Sequence, residues 1–227
     1  MKISEIFYSI QGEGILAGVP SVFVRTSGCN LRCTWCDTPY ASWKPEGDDL
    51  PIDAILADVR LRRGTHVVVT GGEPMIQDEI VRLTERLKEL GVHITIETAG
   101  TVYQPVICDL MSISPKLANS TPLAREEGRW AAQHDRLRYQ PDVIKQLMAD
   151  YVYQLKFVVS DPGDLAEIET ILTETRADRS RVILMAEGTD TESLHRHAHW
   201  LVDICKREHF RYGPRLHIDL FGNQPGF

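Results

Sequence analysis

The amino-acid sequence predicts an α/β fold, an open, partial parallel β/α barrel of about six strands, because strand-like and helix-like segments alternate along the chain. The strand segments are short apolar runs without regular polar alternation, which indicates a sheet covered on both faces. A complete barrel needs eight strands and usually about 250 residues. Because the chain has 227 residues and fewer strand segments, we expect the barrel to stay open.

In the first half of the chain, three predicted strands alternate with two predicted helices. "PSVFVRTSG" contains a buried strand from Ser21 to Arg25, and "PIDAILADVRLRR" after it has helical composition. "THVVVTGGEP" is a β-branched strand ended by two glycines. "IQDEIVRLTERLKELG" predicts a helix that ends at Gly91, and "VHITIETAG" predicts the third strand. The apolar residues of that helix share one face: Ile76, Ile80, Leu83, Leu87 and Leu90.

The second half continues the alternation after one interruption. "DLMSISPK" predicts a strand, and the variable segment, residues 117–150, then begins with a polar stretch. Within it, "AREEGRWAAQHDRLRYQ" is compatible with a helix, a lid or a surface excursion. "YVYQLKFVVS" and "RVILMAEG" predict strands, each followed by a helix, "PGDLAEIETILTET" and "TESLHRHAHWLVDICKREH". Near the end, "RLHIDL" predicts a last strand.

The composition is typical of one globular domain that spans residues 1–227. Apolar residues make up 43% of the chain, and the formal charge of −7 argues against a nucleic-acid partner, which requires a basic surface. No apolar run reaches the roughly 20 residues that cross a bilayer, so no membrane partner is expected. The beginning, "MKISEIFYSIQGEG", lacks the apolar stretch of a secretory signal. We therefore expect a cytoplasmic protein with reduced thiols.

Three of the five cysteines lie close together in "SGCNLRCTWCDTPY", as Cys29, Cys33 and Cys36. In a reducing compartment, such a cluster is more typical of metal binding than of disulfides. A structural zinc site normally takes four ligands, and the remaining cysteines, Cys108 and Cys205, have the apolar neighbours of core residues. The alternative to zinc is an iron–sulfur cluster with three cysteine ligands and one open iron.

The polar motifs all follow predicted strands. The cysteine loop, "TGGEP", "ETAG" and "SPK" come at or after strand ends, and Lys156 lies in a later strand. Reactive residues of parallel folds gather at the carboxyl ends of the strands, so these motifs are expected at one site.

The spacing C-x-x-x-C-x-x-C, written "CNLRCTWC" here, resembles the signature of radical S-adenosylmethionine (SAM) enzymes. "VVVTGGEP", residues 67–74, is similar to the GGEP motif of that superfamily. The resemblance implies a 4Fe-4S cluster whose open iron binds SAM, and whose reduced form cleaves SAM to a 5′-deoxyadenosyl radical. The glycines of the motif are expected to let backbone atoms approach the methionyl ammonium.

A closer resemblance is to 7-carboxy-7-deazaguanine synthases of the 7-deazapurine (queuosine) pathway. "SIQGEG", "GVPSVFVRTSGCNLRCTWCDT", "HVVVTGGEP", "IETAGT" and "SISPK" follow the order found in that family. The resemblance implies conversion of 6-carboxy-5,6,7,8-tetrahydropterin to 7-carboxy-7-deazaguanine with loss of ammonia and with Mg²⁺ assisting. It also implies a substrate loop at residues 8–14, a cluster loop at residues 26–40, a homodimer, and a flavodoxin-like or similar reductant.

Site residues follow from this resemblance at matching positions. It implies cluster ligation by the three clustered cysteines and Mg²⁺ ligation by Thr38. SAM contacts are implied for Gly72, Ser114, Pro115 and Lys116, with Glu73 and Lys156 as further candidates. Pterin contacts are implied for Ile10, Gln11, Gly12, Arg25 and Thr70, and Phe227 is expected near the pterin.

The residue types themselves leave alternatives open. Arg25 follows a buried run and needs an anion, either the substrate carboxylate or an internal partner, Glu13 or Glu97. Lys156 contacts SAM or forms a structural ion pair, and Glu73 and Glu97 have the same two options.

Other polar residues among these candidates also have a local reading. Instead of ligating Mg²⁺, Thr38 could cap a turn. Instead of contacting the pterin or SAM, Gln11 could belong to a Gly-rich turn and Lys116 could be a solvated lysine. Two histidines, His195 and His199, have helical spacing but are interpreted as a polar helix face.

Two rival functions share part of this pattern. A radical SAM activase that acts on a protein partner has the same cysteine spacing but has no use for "QGEG", Arg25 and "CDT". A zinc or iron–sulfur binding module without catalysis has no use for polar motifs at several strand ends. Electron transfer alone normally requires a fourth protein ligand to the cluster.

Overall fold

The fold is built around one nine-stranded sheet. A computed structural model describes residues 1–227. Its strands are β1 Lys2–Ile10, β2 Pro20–Thr26, β3 Asp48–Asp49, β4 His66–Gly71, β5 His93–Thr98, β6 Leu110–Ile113, β7 Tyr153–Val159, β8 Val182–Ala186 and β9 Arg211–Gly213. Across the sheet the order is β3, β1, β2, β4, β5, β6, β7, β8, β9. β1 pairs antiparallel with both β3 and β2, and all pairs from β2 to β9 are parallel.

Helices connect the parallel strands and cover the sheet. They are α1 Pro39–Ser42, α2 Ile52–Arg62, α3 Ile80–Lys88, α4 Ala131–Leu137, α5 Pro141–Asp150, α6 Asp164–Thr175, α7 Thr191–Glu208 and α8 Leu216–Phe221. In α3 the buried residues Ile80, Leu83 and Leu87 share one face, as the spacing predicts. These residues join one continuous core with the buried faces of the strands and of α2, α5, α6 and α7. No helix has both the length and the apolar character needed to cross a membrane.

The predicted fold class is confirmed: the six main predicted strands are β2, β4, β5, β6, β7 and β8, and the sheet stays open. Strand β1 was not predicted, because only Ile3 and Phe7 of it are buried and no continuous apolar run marks it. The predicted strand "RLHIDL" is wrong: residues 216–221 form helix α8. Its apolar–polar alternation is misleading, since Ile218 is the buried residue of α8.

The parallel arrangement brings the carboxyl ends of the central strands to one edge. The cluster loop follows β2, the GGEP turn follows β4, and the segment Ser114–Lys116 follows β6. The variable segment forms α4 and α5 between β6 and β7. The substrate loop, residues 8–14, begins in the last residues of β1 and continues to the turn before β2. This edge therefore carries the cluster loop, the GGEP turn and the segment Ser114–Lys116. The substrate loop instead starts beside the amino-terminal end of β2, because β1 runs antiparallel to β2.

Candidate active site

One cavity of about 420 Å³ opens at the carboxyl edge of the sheet, within the range of small-molecule sites. The predicted site residues that line it are Ile10, Gln11, Gly12, Arg25, Cys29, Cys33, Cys36, Thr38, Thr70, Gly72, Ser114, Lys116, Lys156 and Phe227. Glu73 and Pro115 are the two predicted residues that do not line it. Residues distant in the sequence are thus brought together at one place.

The three cysteines of the cluster loop are free thiols on the cavity wall. The Sγ of Cys29 accepts a hydrogen bond from the backbone N–H of Leu31 at 3.3 Å, and the Sγ of Cys36 lies 3.0 Å from Ser42 Oγ. No group of three or more His, Cys, Asp or Glu side chains is arranged to hold a single metal ion. The donor set fits an iron–sulfur cluster by its chemistry, because thiolates are the ligands of such clusters.

The glycines of the GGEP turn are needed for close packing against the cluster loop. A Cβ atom at Gly72 would lie 2.2 Å from the carbonyl oxygen of Gly28 and 2.5 Å from that of Ala41. The backbone N–H of Glu73 donates to the same Gly28 carbonyl at 2.9 Å. Gly72 also lines the cavity, so its small size serves the packing of the two loops as well as the approach of a ligand.

Glu73 is fully buried between the GGEP turn and the end of β5. Its carboxylate accepts hydrogen bonds from Thr98 Oγ1 at 2.8 Å and from the backbone N–H groups of Ala99 at 2.8 Å and Met75 at 3.1 Å. Burial raises its pKa, although these donors act in the opposite direction. Glu73 is thus held by hydrogen bonds within the protein and forms no ion pair, and its contact with SAM stays a prediction.

Arg25 lines the cavity and pairs with Glu5, a partner that the sequence did not predict. Its Nε lies 2.7 Å from Glu5 Oε1, which also accepts from the Tyr40 hydroxyl at 2.8 Å. Neither Glu13 nor Glu97 forms a salt bridge with Arg25. The terminal nitrogens of the guanidinium have no protein partner, so this end of the side chain can bind an anion.

Lys156 is a buried cation between two carboxylates. Its Nζ lies 2.9 Å from Glu13 and 3.2 Å from Glu97. Burial alone would lower the pKa of Lys156, but the two carboxylates outweigh burial and raise it. Glu97 also accepts from Gln11 Nε2 at 3.3 Å and from Thr70 Oγ1 at 2.9 Å. The structural ion pair is therefore present, and it connects the substrate loop with β4, β5 and β7.

Arg215 is a second buried cation, which the sequence analysis missed. It pairs with Glu13 at 3.1 Å and with Asp37 in the cluster loop, and it donates to the carbonyl oxygen of Gly188 at 2.7 Å. Burial opposes the charged form, yet the carboxylates of Asp37 and Glu13 outweigh burial and raise the pKa of Arg215. No local pattern marks this arginine, because all of its partners are distant in the sequence.

His217 was also missed, and it explains a glycine of the substrate loop. A Cβ atom at Gly12 would lie 1.9 Å from His217 Nδ1, so only glycine leaves room for the ring at this position. Burial lowers the pKa of His217, which lines the same cavity. The pairing of Gly12 with a histidine 205 positions later has no signal in a single sequence.

The carboxyl-terminal residue reaches the cavity wall. Phe227 is half exposed and its ring centroid lies 5.1 Å from that of Phe221 in α8. Asn223 donates to the carbonyl oxygen of Asp37 at 3.5 Å. The end of the chain thus lies beside the cluster loop, and the position of Phe227 near the pterin stays a prediction.

The side chains that the sequence analysis set aside lie outside this cavity. His195 is exposed and lies 3.8 Å from Asp219, and Cys205 is buried in the core. Cys108 is partly buried against the same core. These positions agree with the structural interpretation of all three residues.

A model of the radical SAM superfamily matches residues 23–116, which include the cluster loop, the GGEP turn and the segment after β6. The chain is 46% identical to the 7-carboxy-7-deazaguanine synthase of Halobacterium salinarum, over 99% of this chain and 92% of the relative. It is also 46% identical to the synthase of Rhodopirellula baltica, over 100% of this chain and 88% of the relative.

Solved structures agree in fold. The crystal structure of QueE from Escherichia coli aligns with a TM-score of 0.70 at 23% identity, covering 93% of this chain and 92% of that chain. Streptococcus suis SuiB bound to the precursor peptide SuiA aligns with a TM-score of 0.57 at 15% identity, covering 84% of this chain and 47% of that chain. At these identities the likeness concerns the fold alone.

The fold, the cysteine loop and the superfamily match define the class: this is a radical SAM enzyme. Within that class, the identity over nearly the full length of two relatives is decisive. The chain belongs to the 7-carboxy-7-deazaguanine synthase family, whose members are lyases of 7-deazapurine biosynthesis.

Proposed function

We propose that this enzyme converts 6-carboxy-5,6,7,8-tetrahydropterin to 7-carboxy-7-deazaguanine with loss of ammonia. The observation that carries the proposal is the shared cavity: the cysteine loop and a pocket of buried charges face the same space of about 420 Å³. A small molecule with a carboxylate and a ring rich in hydrogen-bonding groups suits such a lining. Both relatives are named 7-carboxy-7-deazaguanine synthase, which supports 7-carboxy-7-deazaguanine as the product.

In this proposal Cys29, Cys33 and Cys36 hold the 4Fe-4S cluster. SAM lies against Gly72 and the segment Ser114–Lys116, where Lys116 Nζ and Ser114 Oγ are 2.8 Å apart and both face the cavity. When bound, the cluster and SAM supply the radical that abstracts hydrogen. The contribution of the chain is to hold the two reacting molecules together and to exclude water.

The pterin is held by the charged pocket. The free terminal nitrogens of Arg25 bind its carboxylate, because the planar guanidinium matches a carboxylate in two parallel hydrogen bonds. Gln11 offers both a donor and an acceptor to the amide-like edge of the ring. Thr70 and the backbone of Ile10 and Gly12 complete the wall.

The buried charges around the ring have a positioning role. Lys156 holds Glu13 and Glu97 in fixed places, and their carboxylate oxygens accept hydrogen bonds from ring N–H groups. The presence of Glu13 in the "QGEG" motif supports this role.

Thr38 is proposed as the Mg²⁺ ligand. It lines the cavity directly after the cluster loop's last cysteine and Asp37. A hard cation prefers oxygen, and Mg²⁺ usually keeps few protein ligands beside water and substrate oxygens. A cytoplasmic homodimer that receives electrons from a flavodoxin-like reductant completes the proposal.

The test is a turnover assay with anaerobically reconstituted enzyme, SAM, Mg²⁺, a reductant and 6-carboxy-5,6,7,8-tetrahydropterin. We expect 7-carboxy-7-deazaguanine and ammonia in equal amounts, and faster turnover with Mg²⁺ than with a chelator. Cleavage of SAM without either product, from an enzyme with an intact cluster, would contradict the proposed reaction and favour the activase alternative.

A further inference from the structure

The first part of the variable segment, residues 117–138, contacts the cluster loop at several points. The backbone N–H of Thr34 donates to the carbonyl oxygen of Ser120 at 2.8 Å, and Trp35 Nε1 donates to Asn119 Oδ1 at 3.2 Å. Arg125 donates to the carbonyl oxygen of Thr34 at 3.2 Å. The segment is therefore packed on the loop that carries the cysteines.

A buried histidine lies at the centre of these contacts. His134, on α4, is 1% exposed, and its Nδ1 accepts a hydrogen bond from the backbone N–H of Arg32 at 3.0 Å. Its Nε2 lies 2.9 Å from Ser120 Oγ, which in turn donates to the carbonyl oxygen of Leu117 at 2.6 Å. Because Nδ1 accepts, the ring proton is on Nε2 and is donated to the serine oxygen. Every polar atom of this chain of contacts has a partner.

The protonation state of His134 agrees with its role as an acceptor. Burial lowers its pKa to about 4, so the imidazole is neutral near pH 7 and Nδ1 keeps its lone pair. The positive charges of Arg138 and Lys116 also lower the pKa of His134, whereas the negative charge of Asp135 raises it.

The amide that His134 binds lies between the first two cysteines. Residues 27–33 belong to no helix or strand. The backbone N–H groups of Ser27 and Gly28 donate to backbone carbonyl oxygens, whereas those of Leu31 and Arg32 donate to side-chain atoms, Cys29 Sγ and His134 Nδ1. The Arg32 side chain already donates to the carbonyl oxygens of Cys29 and Leu31, both at 2.7 Å. His134 supplies the matching acceptor for the Arg32 amide, immediately before Cys33.

We propose that His134 is a positioning residue for the iron–sulfur cluster, which it serves by fixing the backbone of the cluster loop through the Arg32 amide. Ser120 fixes the tautomer and orientation of the ring. The inference rests on the proposed ligand role of Cys29, Cys33 and Cys36. It gives the variable segment a function that its polar sequence does not reveal.

The test compares cluster retention in His134→Leu and in Gln133→Ala, an exposed position on the same helix. Iron and sulfide are measured per chain after anaerobic reconstitution, and then during incubation with an iron chelator. We expect His134→Leu to lose its cluster on the order of tenfold faster than the control, because a buried amide is left without a partner. Equal rates in the two variants would overturn the proposal.

Two further variants separate positioning from mere packing. His134→Asn keeps a hydrogen-bond acceptor of similar reach, whereas His134→Leu fills the space with an apolar side chain and has no acceptor. A positioning role predicts that the Asn variant keeps its cluster longer than the Leu variant, and the reverse order would contradict the role. Ser120→Ala removes the partner of Nε2 together with the hydrogen bond to the Leu117 carbonyl but keeps the imidazole ring, so it tests the proposal even when the Leu variant does not fold. We expect about threefold faster cluster loss, and a rate equal to that of the control would count against the proposal.

Hydrogen exchange of the Arg32 amide in the cluster-free chain provides an independent measurement. We expect protection in the unchanged chain and in Gln133→Ala, and faster exchange in His134→Leu. Cluster retention and amide exchange are both measured without pterin. A chain that forms no deazaguanine therefore refutes the proposed reaction without affecting this result, and unchanged exchange at Arg32 refutes the role of His134 whatever the product.

Discussion

The cluster loop and the carboxyl-terminal segment, residues 214–227, form parts of the same cavity wall but are held by different forces. The cluster loop is fixed mainly by neutral hydrogen bonds, such as His134 to the Arg32 amide and Trp43 Nε1 to the Cys33 carbonyl at 2.9 Å. The carboxyl-terminal segment is anchored mainly by the buried charge of Arg215. Beyond this anchor, Phe227 is half exposed.

The two kinds of anchoring, neutral hydrogen bonds and a buried charge, suit the different roles of the two regions. Neutral hydrogen bonds in a buried loop depend little on salt and fix the backbone closely, which suits ligands of a resident cluster. The residues after α8 end in a half-exposed ring and lie beyond the buried residues Arg215 and Ile218, so this end can open without disturbing the core, which suits the entry of a substrate. Four changes test this comparison, and they are ordered from the largest expected effect to the smallest.

Replacement of a cluster ligand has the largest expected effect. Cys33→Ala removes one thiolate, so we expect complete loss of SAM cleavage while the chain still folds. Measurement of 5′-deoxyadenosine with dithionite as reductant gives the activity, and circular dichroism of the cluster-free protein gives the fold. Cys205→Ala, in the core, is the control and is expected to retain cleavage. Retained cleavage in Cys33→Ala would contradict the ligand assignment.

Removal of the charged anchor has the next largest effect. Arg215→Met leaves the carboxylates of Glu13 and Asp37 without this partner, and we expect the free energy of unfolding to fall by about 3 kcal/mol. Urea unfolding of the cluster-free chain measures this loss. Arg196→Met, at an exposed salt bridge on α7, serves as the control and is expected to change stability by less than about 0.5 kcal/mol. Similar losses of stability in both variants would mean that Arg215 stabilises the chain no more than an exposed salt bridge does.

Acid is expected to weaken the support of the cluster loop. Because burial lowers the pKa of His134 to about 4 from 6.5, the unfolded chain binds a proton in this interval that the folded chain does not. The contribution of His134 is thus fully present above about pH 6.5 and is lost as the pH falls to about 4, with a slope of at most about 1.4 kcal/mol per pH unit.

Stability of the cluster-free chain at several pH values tests this dependence. His134→Asn has no titrating ring, so its stability is expected to depend less on pH between 6.5 and 4. Carboxylates with lowered pKa values, such as Glu13 and Asp37, lose their contributions only at lower pH. Identical pH profiles for the two proteins would show that His134 titrates normally.

Shortening the exposed end has the smallest expected effect. Removal of Gly226 and Phe227 takes away a half-exposed ring, so we expect the KM for the pterin to rise about fivefold, with no measurable loss of stability. Steady-state kinetics and thermal unfolding measure the two quantities. A truncated enzyme with an unchanged KM would refute the idea that this end closes the pocket.

The residues of the site also differ in how well the sequence predicts them. The cysteines, Thr38, Gly72 and the core strands are marked by short local sequence patterns, even where a residue such as Gly72 packs against distant residues. The partner of Arg25 was not predicted, because Glu5 faces it from β1, a strand that carries little apolar signal.

Long-range contacts account for what the sequence did not predict. Arg215 meets Asp37 across 178 positions, and His134 meets Arg32 across 102. The strand predicted near the end is a helix, because a short alternating pattern with one buried residue fits both elements. Residues that meet through such long-range contacts are therefore harder to predict from the sequence than residues of short motifs.

The central claim is that three thiolates of one loop and a cosubstrate together complete the cluster beside the pterin pocket. The most direct measurement is electron–nuclear double resonance on the reduced enzyme with SAM carrying ¹⁵N in its amino group. We expect hyperfine coupling between that nitrogen and the cluster in the unchanged chain, and none in Cys33→Ala. A fully loaded cluster that shows no coupling to SAM, with a fourth side chain on its last iron, would contradict it.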